Sequence, residues 1–385
     1  MAWAAGRRGW IALGGLSALA LAQACTKTPV DTALDALIDE VLAAVGPEVV
    51  QPGLADFEAE LATLEQELVD WQSLGGGEPI EAREAWVRTM LAWQRLEVQQ
   101  IGPAGSSLSV LGGEDYRDEI YSWPTVNSCR VDQETVEGDW AQASFFDDNL
   151  VNSYGLDALE HLLWAGPEHT CPRQVGIDED WDALGASGVV DARQDFAVAL
   201  VAQLRVEAAE LSGRWDEGFT EELRVQTEDS PYADQAEALD AVFGAMFYLD
   251  PIAKDRKLGL PLGLDDGEAD PEEVEGLASG EGAAFVAANL QGFQALFTGG
   301  EGAGLDDLLE DAGHADLSAQ VLDAAATAEA SALAIEQGLD AQIEQDPDSV
   351  EALYTQVDVV TDLLEGDVAT VLTLTVPSEA AGDND

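Results

Sequence analysis

Asn149 to Trp164, NLVNSYGLDALEHLLW, is the stretch around which the chain is organised. Its apolar residues recur at helical spacing, so we expect a buried helix, yet it also carries Asp157, Glu160 and His161. On a helical wheel Glu160 falls among apolar side chains, and leucines cover most of the remaining circumference. A carboxylate so enclosed must be paired, protonated or bound to a metal, because burying a lone charge costs too much free energy.

A second carboxylate occupies an apolar position in an earlier helix, which the sequence predicts over Pro79 to Ile101. The apolar stripe of this helix includes Trp86 and Trp93, and Glu97 then occupies a position where the stripe requires an apolar residue. Gly102-Pro103 is expected to end the helix. Two separate helices are therefore predicted to bring carboxylates into the protein core.

The rest of the chain shows the same helical spacing, without sustained period-2 strands or βαβ alternation. This pattern predicts an all-α fold with two helical-bundle domains. We expect a signal peptide at 1–24, an N-terminal helical domain at 25–217 that contains the central helix, a C-terminal helical domain at 218–376 and a disordered tail at 377–385.

Two acidic segments are predicted to be loops. The run Asp178 to Asp182 is placed in a loop that precedes a helix over Asp191 to Trp215. Leu262 to Gly282 is rich in Gly and Asp, but its acids lack the alternating ligand spacing of an EF-hand. We therefore interpret this second segment as a solvated loop.

The charge balance of the chain is strongly acidic. It has 76 Asp and Glu residues against 16 Lys and Arg, which gives a formal net charge of −60 over 385 residues. Such a charge repels nucleic acid and anionic membrane surfaces, so no nucleic-acid partner is expected. Its main effect is on solubility, and it favours cation binding only weakly.

The first 24 residues have the pattern of an export signal. The basic pair Arg7-Arg8 precedes an apolar run, Trp10 to Leu21, which is too short to span a membrane. Ala22-Gln23-Ala24 fits a cleavage site for small residues. Cys25 follows directly, so we expect a lipid-anchored protein of the periplasm or cell surface, with cleavage without lipidation as the alternative.

The two remaining cysteines, Cys129 and Cys171, are an even pair in a chain predicted to be exported. Exported proteins fold in an oxidising compartment, where such pairs form disulfides. We therefore predict a Cys129–Cys171 disulfide that ties the loop before the central helix to the loop after it.

The chemistry of the site is rich in oxygen ligands, since Asp157 and Glu160 are three residues apart and Glu97 can join them from the earlier helix. Carboxylates and one His on facing helices are a recurring way to hold iron or manganese. From residue types alone, an ion-pair network is favoured over a metal site. Its candidate cations are Arg83, Arg95 and Arg256.

The motif Gly155-Leu156-Asp157-Ala158-Leu159-Glu160, followed by two leucines and Trp164, resembles the G-x-H-x-x-E motif of imelysin-like proteins. The resemblance covers nearly the whole mature chain, because further landmarks of that family follow in order. These landmarks are Arg83 to Trp86, Glu97 with Gly102-Pro103, Ile120 with Trp123-Pro124, Leu204 to Trp215, Lys254 to Arg256 and Asn289 to Gly292.

The resemblance implies an exported, two-domain helical protein of bacterial iron or other metal uptake, often a surface lipoprotein. Its expected cargo is a divalent or trivalent metal cation such as iron, and its expected partners are a membrane transport component and the membrane itself through lipidated Cys25. The implied metal ligands are Glu97, Asp157 and Glu160. Trp123 and Arg256 are expected as further cleft residues, and His161 is a further candidate because it can replace the motif His one turn later, although the family usually has an apolar residue there.

One departure from the family motif bears on all of these functions, because Asp157 stands where the motif has His. An Asp can bind a hard cation, but it removes the imidazole that suits zinc and softer iron sites. Two alternatives to the function of a metal-binding protein therefore remain open. One is a metal-dependent peptidase, a label that some family members carry, and the other is a degenerate member whose site is purely structural.

Overall fold

The structure is a computed structural model that describes residues 29–142, 144–225, 227, 230–264 and 267–378. Throughout these ranges the regular secondary structure is helical and there is no β-strand, which confirms the all-α class. The α-helices are α1 (Pro29–Ala44), α2 (Gln51–Leu74), α3 (Ile80–Glu97), α4 (Tyr116–Ile120), α5 (Ser128–Glu137), α6 (Phe145–Asp148), α7 (Leu156–Trp164), α8 (Asp178–Arg214), α9 (Thr220–Arg224), α10 (Gln235–Met246), α11 (Leu260–Leu262), α12 (Gly282–Thr298), α13 (Leu305–Asp311), α14 (Ala315–Leu333), α15 (Leu339–Gln345), α16 (Pro347–Asp362) and α17 (Ala369–Leu372).

Several segments that connect these α-helices are π-helical or 3-10 helical. The π-helical segments are Val45–Val50, Trp215–Phe219, Asp250–Gly259 and Leu363–Val368. The 3-10 turns are Gly102–Ala104, Asp139–Ala141, Val151–Ser153, Arg173–Val175, Phe247–Leu249 and Pro271–Glu273. The segment Asp250–Gly259 lies next to the site described below, and π geometry is frequent at functional sites.

Helix α2 shows how the sequence pattern becomes packing. Its apolar residues recur every three or four positions, and this stripe is buried against α3 and α8. The helix ends at Gly75, whose φ of 61° is a left-handed conformation that Gly adopts without strain. The buried residues of the stripe are Leu54, Phe57, Leu61, Leu64, Leu68 and Trp71.

The two halves of the chain share one hydrophobic core, which includes buried residues on both sides of position 218. In the C-terminal half α12 packs on α14, and α14 packs on α16. Helices α3 and α12 pack against each other across the halves, and α1 packs on α9, α10 and α13. Near position 218 the chain continues from α8 through a π-helical segment into α9, so the two-domain division stays a prediction.

The contact between α3 and α12 is a close backbone approach at Gly292. A Cβ atom added to Gly292 would lie 2.0 Å from the carbonyl oxygen of Arg95. No side chain fits at that distance, so the helices can pack this closely only because residue 292 is glycine. This crossing brings the middle of α12 against the C-terminal part of α3.

Three predicted helix boundaries differ from the structure. The central helix α7 begins at Leu156, because Gly155 has a φ of 104° and the chain before it forms a 3-10 turn. Helix α3 ends at Glu97 rather than Ile101. The prediction of a loop at Asp178 to Asp182 is wrong, since these residues form the first turns of α8, where acidic side chains favour a helix N-terminus.

The predicted disulfide is confirmed, with Cys129 and Cys171 bonded and their Cα atoms 4.4 Å apart. The predicted signal peptide, Cys25 and residues 379–385 of the predicted tail lie outside the described residues. Among the helices in the described ranges, every one is too short or too polar to cross a membrane.

Candidate functional site

Glu97 is fully buried at the end of α3, and both of its carboxylate oxygens have protein partners. Arg117 Nε donates to Oε1 at 2.9 Å, and Trp93 Nε1 donates to the same oxygen at 3.3 Å. The Tyr248 hydroxyl donates to Oε2. Burial alone would lower the pKa of Arg117, but the Glu97 carboxylate raises it above its ordinary value. Glu97 is therefore paired, not isolated.

A second buried ion pair lies beside the first. Lys257 Nζ is 2.9 Å from Glu275 Oε2 and 3.9 Å from Glu97 Oε2, and both Lys257 and Glu275 are only 1 % exposed. The other Glu275 oxygen accepts hydrogen bonds from Tyr121 OH at 2.6 Å and from Gln94 Nε2 at 2.9 Å. Such complete pairing is what makes a buried ion pair tolerable in a protein core.

Two amide side chains complete the arrangement. Lys257 donates to Gln94 Oε1 at 2.7 Å and to Asn289 Oδ1 at 2.9 Å, and Asn289 Nδ2 donates to the backbone oxygen of Gln94 at 2.7 Å. We call this arrangement the buried charge cluster. Its members are Gln94, Glu97, Arg117 and Tyr121 from the N-terminal half and Tyr248, Lys257, Glu275 and Asn289 from the C-terminal half.

The buried charge cluster is electrically balanced, since two carboxylates face one guanidinium and one ammonium. The pKa values of Tyr121 and Tyr248 are raised well above their ordinary range. Burial is the largest cause, and the neighbouring carboxylates add to it. Both phenols therefore stay protonated and act as hydrogen-bond donors. The arrangement joins the two halves of the chain at the α3–α12 crossing.

Asp157 lies in the first turn of α7 and is 5 % exposed. Its Oδ1 accepts from the Ala158 backbone N–H at 3.0 Å. Ser122 Oγ lies 3.3 Å from Asp157 Oδ2 and 2.8 Å from the Val151 carbonyl oxygen, and because it has one proton we assign that proton to the shorter contact, with Val151. A neutral Asp157 that donates to Ser122 Oγ satisfies all three groups, and burial raises the pKa of Asp157 to about 7.

We expect Asp157→Asn to stabilise the protein above pH 7 by on the order of 3 kcal/mol. The folded-state pKa is raised, so the native state holds a proton that the unfolded chain releases near pH 4, and wild-type stability falls between pH 4 and 7. Asn keeps both hydrogen bonds of the neutral acid and does not ionise. Urea unfolding from pH 5 to 9 measures the difference.

The control for this experiment is Asp191→Asn, which changes an exposed Asp in α8. Its pH profile should run parallel to that of the wild type. If the Asp157→Asn profile were also parallel to the wild type, or if the variant were less stable at pH 8, the pKa of Asp157 in the native protein would not be raised.

Glu160 and His161 have different surroundings on the same helix. Glu160 is half-buried and its Oε1 accepts from the Ser279 backbone N–H at 2.8 Å, while burial raises its pKa. His161 Nε2 lies 2.9 Å from Asp132 Oδ1. Asp132 also accepts from the backbone and side chain of Thr170, both at 2.7 Å. His161 thus belongs to a separate group of contacts near the disulfide.

The predicted cleft residues Trp123 and Arg256 are placed differently. Trp123 lies beside the buried charge cluster, because its carbonyl accepts from Arg117 Nη2 at 3.0 Å and its ring centroid is 5.9 Å from Lys257 Nζ. Arg256 is exposed, whereas its neighbour Lys257 is buried. The π-helical segment therefore presents the next cation along the chain to the carboxylates.

Of the three predicted acids only Glu97 takes part in an ion-pair network with other described residues, and its cations are Arg117 and Lys257 rather than Arg83, Arg95 or Arg256. Arg83 donates to the Leu163 carbonyl, and Arg95 donates to Gln291. Within the described ranges, no group of three or more His, Cys, Asp or Glu side chains is arranged to hold a metal ion. The structure gives the three predicted ligands, Glu97, Asp157 and Glu160, separate protein partners.

Four important residues of the site were not singled out from the sequence: Arg117, Tyr248, Lys257 and Glu275. Glu275 lies in the segment interpreted as a solvated loop, and that interpretation is wrong at Val274 and Glu275, which are buried. A weak signal for this burial was available, because Val274 interrupts the acidic run.

The chain belongs to the imelysin family, because the family model described as Imelysin matches residues 50–365. No curated protein is significantly similar to the chain.

Two solved structures share this fold. One is an imelysin-like protein from Psychrobacter arcticum 273-4, with a TM-score of 0.69 and 17 % sequence identity, and the similarity covers 89 % of this chain and 98 % of that one. The other is from Parabacteroides distasonis ATCC 8503 and is assigned as an iron-regulated protein A precursor. It has a TM-score of 0.67 and 14 % identity over 91 % of this chain and 97 % of that one.

Proposed function

We propose that this chain is an exported binding protein of metal acquisition, and that its cargo is a metal cation bound at Asp157 and Glu160. The observation that carries the proposal is the position of these two carboxylates. They lie on α7 beside the buried charge cluster and, among the described residues, neither forms an ion pair with Lys, Arg or His. Glu97 is paired with Arg117, so we assign it a supporting position beside the cation site and not the role of a ligand.

The chemistry of two carboxylates on one helix suits a hard cation. A spacing of three residues brings their Cβ atoms to about 5–6 Å of each other. Metal sites that use one or two carboxylates and complete their coordination with water are common. Because Asp157 must lose its proton to bind a cation, affinity should rise with pH up to about 7.

Export and anchoring belong to the same proposal. The Cys129–Cys171 disulfide supports folding in an oxidising compartment, and the export-signal pattern in the sequence of residues 1–24 supports export. Lipidation of Cys25 would hold the protein at the membrane, where a transport component could receive the cation. The structural neighbour assigned as an iron-regulated protein is compatible with this role.

Isothermal titration of metal-stripped protein with Fe²⁺, Mn²⁺, Mg²⁺ and Zn²⁺ tests the proposal. We expect one saturable site above the weak background that 76 acidic residues produce. Glu160→Gln should weaken this site at least about tenfold, which corresponds to 1.4 kcal/mol. The matched control, Glu179→Gln, removes the same charge from an exposed position in α8 and should leave the site unchanged.

The absence of a saturable site, or a site unaffected by Glu160→Gln, would contradict the proposal. It would favour the second candidate, a family member whose motif region is purely structural, which the Glu97–Arg117 and Glu275–Lys257 pairs support. Chelator-sensitive hydrolysis of an unfolded protein substrate would instead favour a metal-dependent peptidase.

A further inference from the structure

A small cavity lies behind Glu97, on the side of α3 that faces the end of α8. Its volume is about 10 Å³, and its walls include Glu97, Arg117, Gln99, Trp215 and the apolar side chain of Leu211. This is the volume open to the centre of a water-sized sphere, and a cavity needs roughly 10–15 Å³ of it to hold one water molecule. The space is therefore large enough for one water and too small for an organic ligand.

Two buried polar atoms on residues that line this cavity have no hydrogen-bond partner in the protein. They are the indole Nε1 of Trp215 and the side-chain Oε1 of Gln99. Trp215 is 2 % exposed and Gln99 is 4 % exposed, so bulk solvent does not reach them. Buried polar groups almost always find a partner, because an unsatisfied one is costly.

We propose that the cavity is a binding site for a single internal water molecule, which accepts from Trp215 Nε1 and donates to Gln99 Oε1. The two unsatisfied atoms are one donor and one acceptor, the pair that one water satisfies at once. A cation would face the indole N–H and the Arg117 guanidinium, and an anion would face the Gln99 oxygen and the Glu97 carboxylate. A water molecule can bond to both the donors and the acceptors in the walls, because it both donates and accepts hydrogen bonds.

This water links two parts of the chain. It connects the residues after α3 to the π-helical segment after α8, next to the Glu97–Arg117 pair. The water thus gives the buried ion pair a further polar neighbour, in a cavity whose walls do not include Tyr248 or Lys257. This role does not depend on metal binding at Asp157 and Glu160.

Water contacts of the tryptophan indole protons test the proposal in protein labelled with ¹⁵N-tryptophan. The Trp215 resonance is assigned by its loss in Trp215→Phe, and it should show a cross-peak to a long-lived water. Gln99→Met should abolish or weaken that cross-peak. The internal control is Trp86, which is 1 % exposed and donates to the Leu156 carbonyl at 2.8 Å, so it should show no such contact.

A high-resolution crystal structure of the wild-type protein provides a measurement that needs no variant to fold. We expect one water peak within hydrogen-bond distance of both Trp215 Nε1 and Gln99 Oε1. Absence of that density, or a Trp215 indole that behaves like Trp86, would overturn the proposal. A cross-peak that is unchanged in Gln99→Met would overturn the bridging geometry.

Discussion

Lys257→Met is expected to lower the free energy of unfolding by about 3–5 kcal/mol, the usual cost of removing one partner from a buried ion pair. The substitution keeps the size of the side chain but leaves the Glu275 carboxylate without its cation. It also removes the donor shared by Gln94 and Asn289. Urea denaturation at pH 7 measures the loss.

The chain offers a matched control at the next position. Arg256→Met removes the same charge from an exposed side chain of the same π-helical segment, and it should change stability by no more than about 0.5 kcal/mol. The double variant Lys257→Met/Glu275→Gln should be more stable than Lys257→Met alone, because it no longer buries an unpaired charge. Equal losses at positions 256 and 257 would contradict this account of the buried charge cluster.

Loss of the disulfide is expected to have an effect of similar size. The Cys129–Cys171 bond closes a loop with a sequence separation of 42 residues, which includes α5, α6 and α7. Chain-entropy arguments give about 4 kcal/mol for a loop of this length. The variant Cys129→Ala/Cys171→Ala should therefore unfold at a markedly lower urea concentration.

Dithiothreitol separates the disulfide from the effect of the substitutions. It should destabilise the wild-type protein by about the same amount and leave the double Ala variant unaffected. Cys171 packs with Ile177, Trp181 and Val189 in a small apolar group, so truncation to Ala also removes some packing. If the reduced wild-type protein were as stable as the oxidised one, the loop would be held by its other contacts.

Sequence reasoning predicted the all-α fold correctly because helical periodicity is a local property. The stripe from Leu54 to Trp71 defines α2 from its own residues, and its burial follows from that stripe. Boundaries were less accurate where the backbone decides them. Gly155 delays the start of α7, and no apolar pattern reveals its φ of 104°.

The site was predictable only in part. Glu97 and Asp157 were recognisable as acids in apolar surroundings, and both are buried. Their surroundings depend on distant parts of the chain, since the Glu97–Tyr248 contact spans 151 residues and the Gln94–Glu275 contact spans 181. Such pairing is set by tertiary packing, and a single sequence carries no local signal for it.

The helix crossing at Gly292 has a mechanical consequence. Because the backbones of α3 and α12 touch there, neither helix can slide or rotate without losing the contact. Asn289 precedes Gly292 by about one turn and bonds Gln94, the residue before Arg95. The two halves of the chain thus meet at a fixed joint rather than a hinge. If a cation binds at α7 as proposed, the movement that admits it is expected in more peripheral segments, such as the turn that holds Ser279 against Glu160.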